Sequence, residues 1–231
     1  MKTLYIIPAR GGSKSIPLKN VKLLAERPLI WYTLDVATKM ADKADICVST
    51  DSKMVEDCVK EYGINIPFLR PSELSEDSTG QFEVIKHALE FYKQRGVHYD
   101  SIVLLQVTSP FRRVEQVKKV VSQFHKDIDM VASVCKASAN PYYLLFEEDI
   151  QGFLVKSKEG HFKTRQDCPE VWQLNGSVYV INPKSLEKYD SFSHFKKVEK
   201  SVMPALMSVD IDNDLDWEFS EYLSTKIKIV D

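Results

Sequence analysis

The sequence predicts an α/β fold with a mostly parallel sheet and helices on both faces, and three observations predict it. Strand-like apolar runs alternate with stripes of helical period along most of the chain, the pattern of crossover units rather than of hairpins. One run, Ile102 to Leu105, is apolar without interruption, as a strand covered on both faces must be. The chain has 231 residues, 44% hydrophobic and 28% charged, a size at which one core still serves, so 1–231 is expected to be a single domain.

Taken in order, Leu4 to Ile7 reads as the first strand, and Pro8 turns it into a polar loop. Pro28 suits the first turn of a helix whose stripe is Ile30, Leu34, Ala37 and Ala41. Asp45 to Thr50 follows as a strand, Lys53 to Tyr62 as a helix stopped by Gly63, and Ile64 to Leu69 as an extended run that Pro67 assigns to an edge. Phe82, Ile85, Leu89 and Tyr92 mark a helix from about Thr79 to Arg95, which leads to the central strand at Ile102. Val114, Val117, Val121 and Phe124 mark the next helix, and Met130 to Val134 the next strand. From Lys136 to Trp172 the periods break into short aromatic pieces, expected as a projecting β-rich arm over 136–172. Order returns at Ser177 to Ile181 and Ala205 to Ile211, and the last helix presents Leu215, Phe219, Tyr222 and Leu223 as its apolar face.

Composition narrows the function. With 31 basic and 33 acidic residues the formal charge is −2, so no global basic surface points to nucleic acid or an anionic membrane. Cys47, Cys58, Cys135 and Cys168 lack zinc spacing and read as free thiols in a reducing compartment. No leader pattern or membrane-length apolar window is visible, so a cytoplasmic protein is expected. The five histidines fall in no ligand or triad spacing, and Ser13 has no paired base that would make it a nucleophile.

Three stretches carry chemistry. In IPARGGSKSIPLKN, from Ile7 to Asn20, Gly11 and Gly12 allow close approach of backbone N–H groups to an anion, and Arg10, Lys14 and Lys19 add positive charge. This suits a polyphosphate, although neither a Walker A loop nor a dinucleotide fingerprint fits the spacing. In LLQVTSPFR, Gln106 and Thr108 follow the central strand and should sit at the mouth of the sheet, while Arg112 reads as either functional or simply surface. In VDIDNDLDW, Asp210 and Asp212 would project from one face of an extended strand and converge on a hard cation, whereas Asp214 and Asp216 belong to the first turn of the last helix.

These stretches resemble the acylneuraminate cytidylyltransferases, the CMP-sialic acid synthetases and their relatives. The match comprises Pro-Ala-Arg-Gly-Gly-Ser-Lys with Ile16-Pro17 and Lys19-Asn20, then Leu-Leu-Gln-x-Thr-Ser-Pro-x-Arg, then Asp-Ile-Asp at 210–212. The resemblance implies a Rossmann-like nucleotidyltransferase sheet, CTP and an acidic nine-carbon keto sugar as substrates, Mg2+ on Asp210 and Asp212, and a homodimer built through the arm. It implies that Arg10, Gly11, Gly12, Ser13, Lys14, Asn20, Arg70 and Ser78 bind the nucleotide. It assigns catalysis to Arg10, Lys14, Lys19 and Asp212, and the sugar to Gln106, Tyr143, Arg165, Asn175 and Tyr179. Asn175-Gly176 by itself reads as a hairpin turn. Two departures stand out: Ser15 replaces a glycine common in the family, and Asn140-Pro141-Tyr142-Tyr143 lacks a lysine that some members carry near Tyr143. Legionaminic or pseudaminic acid therefore stays open as the acceptor, as does a CTP-binding subunit without catalysis.

Overall fold

Thr3–Pro8 forms β1, and its alternating side chains explain why the apolar run is continuous: Tyr5 and Ile7 enter one core, Leu4 and Ile6 the other. The computed structural model describes residues 1–13, 15–76 and 79–227. A short hairpin, β2 (Leu23–Leu24) and β3 (Arg27–Pro28), precedes α1 (Leu29–Met40). There follow β4 (Ile46–Ser49), α2 (Lys53–Glu61), α3 (Gln81–Lys93), β5 (Ser101–Leu105), α4 (Val114–Gln123) and β6 (Met130–Lys136). The remainder is β7 (Phe146–Glu148), β8 (Leu154–Lys156), β9 (Trp172–Ile181), α5 (Pro183–Lys188), β10 (Val198–Val202) and α6 (Asp214–Ser224).

The main sheet has the order β10-β6-β9-β5-β1-β4. β1 pairs in parallel with β4 and β5, and β10 with β6, while β9 runs antiparallel between β5 and β6. One core packs α1, α2, α4 and Trp217 of α6 on one face, and the other packs Phe82, Ile85 and Ala88 of α3 with Leu186 of α5 on the opposite face. Both faces are thus closed to water, as the unbroken apolar strands require. Between 136 and 172 the chain leaves this sheet, and β7 and β8 pair only with each other, every residue of both exposed. Among the described residues no helix is long and apolar enough to cross a membrane.

Several local expectations are corrected. The run Ile64 to Leu69 yields only a parallel bridge between Thr50 and Leu69, since Pro67 cannot donate to a ladder. Ala205 to Ile211 is not a strand: Pro204 opens a 3-10 turn over Ala205–Ser208, and the edge strand is the charged VEKSV of β10 instead. Asn175-Gly176 makes no hairpin; it is an irregularity inside β9 with Gly176 at φ +68°. The last helix buries Trp217, Ser220 and Leu223 and leaves Leu215, Phe219 and Tyr222 exposed.

Candidate active site

The carboxyl ends of β1 and β5 open into a cleft of about 450 Å³ lined by Arg10, Ser13, Ser15, Lys19, Asn20, Arg70, Gln81, Gln106, Thr108 and Asp212, among others. The loop after β1 owes its shape to internal bonds. Asn20 Nδ2 donates to the Arg10 carbonyl at 2.8 Å and closes the loop on itself. Gly11 donates its N–H to Asp51 Oδ1 at 2.9 Å, and a Cβ there would lie 2.6 Å from Ser52 Cβ. Gly11 is therefore required for the approach to α2, and its N–H is engaged within the protein. A Cβ added at Gly12 would meet nothing within 4 Å. Ser15 does not take the positive φ that a glycine would supply; Leu18 does, at 53°, and Ser15 instead donates its hydroxyl to the Asp212 carbonyl. Lys14 and Ser78 lie outside the described residues.

Lys19 crosses from this loop to the acidic segment, donating to the Ile211 carbonyl at 2.7 Å, with Asp212 Oδ1 at 3.9 Å. On another wall Arg70 is 6% exposed, and its Nε and Nη2 are buried without hydrogen-bond partners. Its nearest anion is Asp51, 3.6 Å from Nη2. Burial holds the Arg70 pKa below its ordinary value, and Asp51 opposes that shift. A buried guanidinium with only a long ion pair to Asp51 and no hydrogen-bond partner at Nε can take a further acceptor, because desolvated donors left unpaired are costly.

The two carboxylates differ sharply. Asp212 stands in the cleft with 75% of its side chain exposed, and its backbone N–H is held by Asp216 Oδ2 at 2.9 Å. Asp210 turns inward, where Oδ1 is buried without a hydrogen-bond partner and Oδ2 packs against Gly176, 3.0 Å from the place a Cβ would occupy. Burial pushes the Asp210 carboxyl above the usual range; the Thr108 hydroxyl opposes this and the Asp212 charge adds to it. Strand alternation does not set the pair, because this segment is not a strand; the turn at Ala205–Ser208 and the bond from Ile211 N to the Thr108 carbonyl at 2.9 Å fix the segment that carries both. The residues fit a hard cation: Asp210 Oδ1 is an orphaned anionic oxygen beside a second carboxylate that faces the cleft.

The residues assigned to the sugar separate. Gln106 lines the cleft, its amide 3.5 Å from Gln81 Oε1. Tyr143 and Arg165 lie between β6 and β9, outside the cleft lining, and Arg165 Nη2 donates to the Ser138 carbonyl at 2.7 Å. Asn175 and Tyr179 are buried in β9.

Arg112 is the residue that sequence reading undervalued. It is 1% exposed, and Nη1 donates to the carbonyls of Gln106 at 2.6 Å and Ser177 at 3.2 Å, while Nη2 reaches the Thr33 hydroxyl. Burial lowers its pKa to about 9, and the Asp210 charge opposes that. Its sequence signal was the Thr-Ser-Pro turn, which sends the chain back under the end of β5. Gln81, just after Gly80, is a second cleft residue that carried no sequence signal beyond its place at a helix start.

A cationic loop at the end of a first parallel strand, sharing a cleft with the carboxylate of Asp212 while Asp210 turns inward beside it, suits a nucleotidyltransferase-type α/β protein. The fold has close counterparts: a CMP:2-keto-3-deoxy-manno-octonic acid synthetase complexed with CTP superposes with a TM-score of 0.71 over 98% of this chain and 99% of that one, at 16% identity. The chain is 36% identical over 96% of both lengths to the CMP-N,N'-diacetyllegionaminic acid synthase of Legionella pneumophila. It is 34% identical to the N-acylneuraminate cytidylyltransferase of Streptococcus agalactiae over 83% of this chain and 46% of that one. A family model described as Cytidylyltransferase matches residues 4–203, and the chain belongs to that family.

Proposed function

We propose that this enzyme transfers CMP from CTP to the anomeric hydroxyl of an acidic nine-carbon keto sugar of the N-acylneuraminate kind, releasing pyrophosphate. The observation that carries the reading is the cleft itself, which Arg10, Lys19 and Arg70 line together with Asp212. The loop of Arg10 to Asn20, with Lys14 in it, holds the triphosphate. Arg70 offers its Nε and Nη2 donors to the acceptor edge of the cytosine. Gln106 and Gln81 meet the sugar, and Tyr143 and Arg165 reach it only through the arm, whose exposed apolar residues support a homodimer. Asp210 and Asp212 would hold Mg2+, which when bound offsets charge on the α-phosphate and acidifies the attacking hydroxyl. Lys19 keeps the Asp212 segment against the loop, so that both reactants lie in one orientation for in-line attack. No covalent enzyme intermediate is needed.

A legionaminic-type acceptor is favoured as the specific sugar by the match to the Legionella synthase over nearly the whole of both chains. The test is pyrophosphate release from CTP and Mg2+ with N-acetylneuraminic, legionaminic and pseudaminic acids, Kdo, or no sugar. Release with one nine-carbon acid identifies the acceptor. CTP binding with no release from any of them would replace the transferase by a CTP-binding subunit.

A further inference from the structure

Asn175 is built into the protein in a way that a sugar contact would not require. In the β6–β9 ladder Ala132 pairs with Tyr179 and Val134 with Leu174, so the single residue Ser133 faces the four residues 175–178. The Ser133 hydroxyl fills that gap, donating to Asn175 Oδ1 at 2.6 Å and accepting from Val178 N at 2.9 Å. Asn175 Oδ1 also accepts from Ser177 N at 3.2 Å, and Nδ2 donates to Ser208 Oγ at 2.8 Å. With both ends of its amide occupied and 4% exposure, Asn175 has no polar group to offer a ligand.

The partners of this irregularity all lead to one place. Ser208, held by Asn175 and by its own bond to the Pro204 carbonyl at 2.9 Å, lies two residues before Asp210. Gly176, at φ +68°, leaves room for Asp210 Oδ2 on one side and Gln106 Nε2 on the other, 3.0 and 3.3 Å from the missing Cβ. The Ser177 carbonyl is held by Arg112, which also holds the Gln106 carbonyl. Three consecutive residues of β9 thus each fix one piece of the wall that carries Asp210.

Resting on the function proposed above, we infer that Asn175 is a positioning residue for the metal-side carboxylate: acting through Ser208, it presets Asp210 against Gly176. It does not contact the sugar. The experiment compares Asn175→Ala, Ser208→Ala and the double variant with the unmutated protein, using Mn2+ as probe. Mn2+ binding is followed by electron paramagnetic resonance with CTP and no sugar, and steady-state constants are measured separately. Loss of a group that orients a metal ligand lowers metal affinity by about tenfold or more. Both single variants should show that loss, with the sugar KM changed by less than about twofold, and the double variant should be no worse than either single one because they break one tether. Melting temperatures identify a variant that fails to fold, and Ser208→Ala, at a half-buried hydroxyl, tests the same tether if Asn175→Ala does.

A raised sugar KM in Asn175→Ala with unchanged Mn2+ binding would overturn the inference, as would additive losses in the double variant. No Mn2+ binding by the unmutated protein would remove the metal reading of the site itself, a failure seen before any variant is compared.

Discussion

Individual residues of the site are fixed by space and burial as much as by charge. Gly11 illustrates the first: a methyl group there would overlap Ser52 Cβ at 2.6 Å, while the Gly11 N–H must keep its bond to Asp51. Gly11→Ala should therefore displace the phosphate loop and lower kcat/KM for CTP by about tenfold, roughly the 1.4 kcal/mol that a mispositioned loop of this kind costs. Ser52→Gly removes the obstructing atoms at a cost of a few tenths of a kcal/mol in the α2 cap. The double variant should recover most of the lost activity; no recovery would mean that Gly11 serves the ligand directly. Arg112 illustrates the second. Arg112→Leu would remove the shortest bonds to the Gln106 and Ser177 carbonyls, leaving only the Thr33 hydroxyl at 3.4 Å and the Gln106 N–H at 3.5 Å, and we expect about 3 kcal/mol of destabilisation by urea unfolding. That position stayed open between a functional and a surface arginine because sequence spacing carries no information about a chain that doubles back at a strand end.

At the scale of elements, Asp129 joins α5 to the start of β10. Its carboxylate accepts from Ser185 Oγ at 2.6 Å and from the N–H groups of Lys196 and Lys197 at 2.9 Å each. Burial alone would raise its pKa, but these hydrogen bonds outweigh burial and hold it below the ordinary range. The sign follows: the contribution is present above the unfolded value near pH ~4 and is lost as pH falls through the depressed folded value. Asp129→Asn should cost about 1–2 kcal/mol at pH 7 and progressively less below about pH 4, read from urea midpoints at each pH. A gap that stayed constant with pH would deny the charge its role. The last helix gives the complementary case. Leu215, Phe219 and Tyr222 form a good helical stripe, yet the capping box of Asn213 and Asp216 and the tether of Asp212 turn Trp217 and Leu223 inward. Trp217→Ala should cost about 3 kcal/mol or more, and Leu215→Ser no more than about 0.5.

For the molecule as a whole, the central strands were legible in the sequence because two-sided burial writes an unbroken apolar run, and the helices because their stripes are long. What escaped was set by distant partners. β9 runs antiparallel between β5 and β6, a direction that no local pattern records, and β10 is an edge strand whose lysine and glutamate hide its pairing. In the site, the loop and the acidic pair were legible as motifs. The inward turn of Asp210 and the internal engagement of Gly11 and Asn175 were not, since each depends on residues far along the chain.

The arm raises the last question at this scale. A two-stranded sheet is marginal on its own in water. Here β7 and β8 pair only with each other and leave Phe146, Leu154 and, in their connection, Ile150 and Phe153 exposed. The proposed homodimer covers these side chains with a second copy. Sedimentation should then show a dimer for the unmutated protein and a monomer for the Phe153→Asp/Leu154→Asp variant, with the melting temperature of the six-stranded core little changed, because neither residue is part of it. If Tyr143 and Arg165 serve the partner's cleft, the monomeric variant should bind CTP normally and lose turnover with sugar. An unmutated protein that sediments as a monomer at assay concentration would remove the dimer and return Tyr143 and Arg165 to a purely local role.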